Sequence, residues 1–161
     1  MTDYSRLLDY HVWANERIMT TLQAVPAEIF LKEFGGSFPS IRLTLHHLLS
    51  SDHIWINRWK GIPYIEPPAD WNTANLSDLT AAWRLVLSQL KEASAAWNDR
   101  SSERLQFITK KGDPYEMRFS DTIVHMTHHG SYHRGQITNM LRIAREKTVP
   151  TDYFLFCAEG H

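Results

Sequence analysis

The chain has 161 residues, 43% of them apolar and 22% charged, with a formal net charge of −1. This length can bury a substantial single core, the balance is ordinary for a soluble globular protein, and the lack of a lysine/arginine stripe argues against nucleic acid as the main partner. A single cysteine, Cys157, excludes an intrachain disulfide framework, MTDYSRLLDY lacks the basic-then-apolar pattern of a leader, and no apolar run approaches the roughly 18 residues of a membrane span. A cytoplasmic protein with no membrane association is the expectation.

Four segments carry helical periodicity. The first runs from about Asp3 to Ala24, with Leu7, His11, Ala14, Asn15, Ile18 and Leu22 on one face and Pro26 beyond its end. After the loop GGSFPS, Ser40 is placed to cap a second helix that continues to Lys60, where Gly61 and Pro63 stop it. The proline-rich GIPYIEPPADWNTAN is too irregular for a helix. A third helix opens near Ser77 and runs to about Trp97, its inward residues being Leu79, Trp83, Val86, Leu90, Ala93 and Trp97. LQFITKKGDPYEMRF reads as two short strands around KGDP, a hairpin. Ser120 or Asp121 caps a fourth helix that carries HMTHHGSYHRGQI (125–137) and ends near Glu146. The fold expected is all-α: one four-helix-bundle domain over residues 1–161, with a small β-hairpin before the last helix.

Helix geometry decides which histidines can cooperate. Residues four apart lie about 6 Å apart on one face, so two imidazoles can converge on one ion. Residues eight apart are separated by about 12 Å, too far to share it. His125, His129 and His133 form one ladder, so a metal can use His125/His129 or His129/His133, and His129 belongs to both pairs. His128 points away to the surface or an interface. Arg134 faces almost the opposite side, where it would pair with an acid or cap the site's edge. The face carrying the ladder turns apolar at Met140, Ile143 and Ala144.

A third ligand must come from elsewhere, since two seldom hold a catalytic ion. In LTLHHLLSSDHIWINRW, His46 and His53 share a face with Arg42, Ser50, Asn57 and Lys60, a solvent-facing set. His47 lies with Leu43, Ser51 and Ile54 and is the better candidate, with His46 its rival. A stripe of Ile41, Leu45, Leu48, Asp52, Trp55, Ile56 and Trp59 reads as buried. His11, on the apolar face of the first helix, is placed to reach the same cavity as a ligand or as the partner of one. Three neutral imidazoles suit zinc, nickel, iron(II) or copper better than magnesium or calcium, and leave positions open for water or substrate.

Other chemistries lack their motifs. There is no HExxH, and no glutamate is followed by histidine three residues on, which argues against a di-iron carboxylate bundle. There is no GxSxG elbow and no phosphate-cradling loop. Of the six tryptophans, Trp55 and Trp59 are candidates to line a substrate cavity.

Taken together, YHVWANERI, SIRLTLHHLLSSDHIWINRW, HMTHHGSYHRGQI and VPTDYFLF resemble the DinB/YfiT-like family of bacterial DNA-damage-inducible, metal-dependent proteins over most of the chain. Carried over residue by residue, the family's metal triad falls on His47, His129 and His133. The resemblance implies an up-down-down-up four-helix bundle, commonly a homodimer, with one divalent transition metal (zinc, nickel or iron) in an interior cavity. It also brings relatives that transfer or isomerise with low-molecular-weight bacterial thiols. The function expected is a metal-dependent enzyme that activates water or a thiol, a hydrolase or transferase acting on a small molecule, with Asp52, His125 and His11 as candidate helpers. Asp52 has a plainer alternative in orienting a ligand histidine. The competing expectation is a stress-related metal or small-molecule binder without turnover.

Overall fold

A computed structural model describes residues 4–94 and 100–161. Its elements in chain order are α1 (Tyr4–Leu22), α2 (Ala27–Leu31), α3 (Ile41–Trp59), α4 (Leu76–Ser94), β1 (Arg104–Ile108), β2 (Pro114–Arg118), α5 (Phe119–Ile143) and α6 (Tyr153–Ala158). The long helices α1, α3, α4 and α5 form the bundle, in the ring order α1–α4–α3–α5. Side-chain pairs give their directions. Trp59 meets Thr122 while His47 meets His129, so α3 and α5 are antiparallel. Asp52 meets Trp83 and Lys60 meets Gln89, so α3 and α4 are parallel. Tyr10 lies beside Ser131 and Asn15 beside Arg134, so α1 runs with α5. This is the up-down-down-up order.

Ser40 caps α3: its hydroxyl accepts from the Leu43 amide at 3.2 Å. The start of α5 departs from expectation, because neither Ser120 nor Asp121 caps it and Arg118 holds that position without a side-chain bond. The hairpin does the work instead. Strand β2 runs straight into the helix, and the Phe119 and Ser120 amides donate to the carbonyls of Glu103 and Ser101, which satisfies donors a helix start otherwise leaves open. The far end stops at Ile143 rather than Glu146. Arg145 adopts φ 62, its amide donates to Arg142 and that of Glu146 to Leu141, the paired bonds of a Schellman ending. The strands β1 and β2 pair antiparallel with Phe107 opposite Tyr115.

Ile18, Leu45, Leu48, Trp83, Leu90 and Leu141 are fully buried, each such side chain contributing about 1.5–3 kcal/mol over its exposed state. Burial on α1 takes in Leu8, Tyr10 and Val12 as well as the expected face, since the helix also carries α6: Tyr10, Ala14 and Phe156 form a second small cluster. Leu7 is only half-buried. On α5, Ile137, Met140 and Leu141 are buried whereas Ile143 is exposed. Ala93 and Trp97, expected to face inward, lie outside the described side chains. The short helices α2 and α6, of 5 and 6 residues, went unanticipated because neither is long enough to show a period. Among the described residues no helix is long and apolar enough to cross a membrane.

Candidate metal centre

The antiparallel packing of α3 on α5 brings His47 opposite the one-turn pair His129/His133. One ring nitrogen from each lies within 4.8 Å of the others. The His47 and His129 Nε2 atoms are 3.0 Å apart, and His133 has ring centroids 4.6 and 4.5 Å from theirs. A tetrahedral ion with bonds of about 2.0–2.1 Å to nitrogen separates its ligands by about 3.3 Å, so the three imidazoles fit such an ion with small adjustments. His133 Nδ1 lies 2.6 Å from Gln136 Oε1; the Nδ1–H donates to that oxygen, which leaves the Nε2 lone pair free to face a metal. Phe38 stacks on His47 with ring centroids 4.2 Å apart at 20° and closes one side of the group.

Electrostatics keeps these rings neutral. Burial, and then the neighbouring His133, push His47 down to about 4 and His129 to about 3; Asp52 acts on both in the opposite sense. Burial also lowers His133, against the bond to Gln136. A metal ligand must be unprotonated, and near neutral pH these are.

The remaining candidates go elsewhere. His125 is exposed, stacked on His129 with ring centroids 5.8 Å apart and tilted against Trp55 at 5.3 Å; of the two possible pairs in the ladder it is His129/His133 that meets His47. His46 faces Ser50 and Trp71. His11 and Asp52 are both buried and face each other, with His11 Nε2 at 3.1 and 3.2 Å from the two carboxylate oxygens. Asp52 also accepts from Trp83 Nε1 at 2.8 Å. Among the described residues neither is hydrogen-bonded to the triad, so Asp52 orients His11 rather than a triad histidine. Arg134 does point away from the triad, but it is fully buried, with Asn15, Tyr10 and Ser131 as its hydrogen-bond partners in place of an acid. His128 is exposed.

A cavity of about 680 Å³ opens beside His47. Its walls correct two expectations. Trp55 and Trp59 are core residues, and the tryptophan lining the cavity is Trp71. The face of α3 carrying His46 and Ser50 is not simply solvent-facing, because the proline-rich loop folds back over it and adds Tyr64, Glu66 and Pro67 to the lining. Phe38 and Trp71 carry no local signal for these positions. Gln136 does, since it stands three residues after His133, one turn away on the same face.

The chain has counterparts among known proteins. The DinB family model matches residues 1–159. Protein DinB of Bacillus subtilis (strain 168) is 31% identical over 163 aligned positions, which cover 97% of this chain and 95% of that protein. The crystal structure of a DinB-like protein from Bacillus cereus ATCC 10987 superposes with a TM-score of 0.68 at 20% identity, covering 91% of this chain and 95% of that one. The last likeness concerns the fold; the first two, which match nearly the whole sequence, show that the chain belongs to the DinB family.

Proposed function

We propose that this protein is a metal-dependent enzyme in which His47, His129 and His133 hold one divalent transition ion, zinc, nickel or iron(II), and that it transfers a low-molecular-weight thiol to an electrophilic small molecule. The observation that carries the reading is the convergence of three neutral imidazoles beside a cavity large enough for a small molecule. A bound ion supplies Lewis acidity that lowers the pKa of a thiol or of water. The chain's own part is positional: Gln136 sets the His133 tautomer and Phe38 covers His47.

Thiol transfer is favoured over hydrolysis by the state of the carboxylates. Activating water calls for a nearby proton acceptor, yet Asp52 is occupied by His11 and Trp83, and Glu66 by Tyr64 and Lys110. Hydrolysis stands as the second reading because of His125. It adjoins His129, and partial desolvation and then the Arg58 charge hold its pKa below the ordinary imidazole value, which favours a ring able to accept a proton. The same proposal has the protein working in the cytoplasm as a homodimer, a state that sedimentation equilibrium measures.

The test is metal content by elemental analysis of untagged protein beside His129→Ala, followed by turnover with bacterial thiols and electrophiles. About one equivalent in the parent, little in the variant and thiol-dependent turnover are expected. Metal without turnover on thiol, ester or amide panels would leave a binding protein. No metal retained after adding zinc, nickel and iron(II) would sink the proposal.

A further inference from the structure

Arg58 lies eleven residues after His47 on α3, about 16 Å along the axis and only about 20° around it. Both side chains line the cavity. Arg58 is 9% exposed. Its guanidinium is clamped between two rings, with Cζ 4.6 Å from the Trp55 centroid and 4.2 Å from that of Phe107. The rings supply attraction but no counter-charge. Among the described residues Arg58 donates from Nη2 to the Ile108 carbonyl at 3.0 Å, and its buried Nε has no hydrogen-bond partner. The carboxylate on the cavity wall, Glu66, is paired with Lys110 and accepts from Tyr64. The lining thus sets Arg58 and Lys110 against Glu66, with His47, one member of the triad, at the other end.

Burying a guanidinium without an acid is costly, and burial does push Arg58 down from its ordinary value. A guanidinium stays charged regardless. An anion entering the cavity would repay that cost, and the rings hold the fork ready for it at no further ordering expense.

We propose that Arg58 is the specificity-determining residue of the cavity, binding a carboxylate of a small molecule whose reacting atom lies at the histidine triad. This rests on the metal-site reading for the far end only. Both ends belong to one cavity, which His47 and Arg58 line about 16 Å apart along α3. The site accordingly selects an elongated thiol or acceptor with an anionic tail.

The test uses thiol acids and their neutral counterparts, mercaptohexanoate against mercaptohexanol and mercaptoundecanoate against mercaptoundecanol, titrated by calorimetry into zinc-loaded and metal-free protein. The acid of at least one pair should bind about tenfold tighter than the alcohol, the worth of one charge-assisted hydrogen bond. Arg58→Gln should erase that preference and leave the alcohol's affinity unchanged, while Arg58→Lys keeps part of it. A purely structural arginine would shift both probes together. If Arg58→Gln fails to fold, the Arg58 side-chain nitrogen signal of the parent, assigned from the Arg58→Lys spectrum, must move with the acid and not with the alcohol. Equal affinity of acid and alcohol in both pairs overturns the Arg58 site whatever zinc does. A preference for acid that persists in metal-free protein, with zinc adding nothing to either probe, upholds Arg58 and sinks the metal–thiol reading. No binding of any probe to either form overturns both.

Discussion

An exposed imidazole takes up a proton near pH 6.5, whereas His47 and His129 are held at about 4 and about 3 by burial and then by their neighbour His133. Unfolding metal-free protein therefore takes up protons in the interval between. Stability from this source is full above about pH 6.5 and declines as the pH falls towards 4 and 3. The urea midpoint of metal-free protein should drop between about pH 7 and about pH 5, and drop less in a His47→Gln/His129→Gln variant; equal slopes would remove the attribution. Gly130, beside His129, carries a second single-residue constraint. A Cβ there would stand 2.7 Å from both His11 Cε1 and Arg134 Nη1. Neither neighbour is free to yield, since Asp52 holds His11 and Asn15 holds Arg134. Overpacking costs about 1–3 kcal/mol and alanine's helix preference returns about 1, so Gly130→Ala should lower the denaturation midpoint. A raised midpoint would mean that α1 can shift.

The helices differ in how they begin, and that difference sets what substitution should do. Helix α3 relies on its own cap, Ser40, whose side chain is buried and bound to the Leu43 amide. Ser40→Ala should cost about 1 kcal/mol, read as a lower urea midpoint at unchanged slope. No change would show that the preceding loop, rather than the hydroxyl, starts the helix. For α5 the carbonyls of Glu103 and Ser101 take the cap's place. The hairpin therefore does more than fill the chain between α4 and α5: it aims the helix that carries His129 and His133.

Asp52 ties three of the long helices together, accepting from Trp83 of α4 and facing His11 of α1 from its own place on α3. Cutting a buried pair on one side strands its partners, at a cost of about 3–5 kcal/mol. Asp52→Ala should be destabilised by that order in a denaturant titration, while whatever fraction folds keeps the parent's metal stoichiometry, because Asp52 does not touch the triad. A loss of metal at full stability would instead make Asp52 part of the metal centre.

Much of this was legible in the residues. Period-3.6 patterning marked the four long helices, two short β-prone runs around KGDP marked the hairpin, and the His129/His133 spacing follows from one helical turn. The helical face preferred His47 over His46 as the third histidine, family resemblance pointed to the same residue, and packing of α3 on α5 brings it to the pair. Local patterning could not say more, because it reports which face of a helix is apolar and not which helix that face meets. His11 and Asp52 looked available to the site until the bundle paired them with each other. Arg134, read as a peripheral charge, is buried because α1 offers Asn15 and Tyr10 as neutral acceptors. His46 and Arg58 became cavity walls once a loop with no periodicity of its own folded over α3. One-dimensional spacing governs contacts within a turn or two of helix; partnerships between side chains 41 or 82 residues apart depend on how whole helices pack, and here that packing set which polar groups share a site.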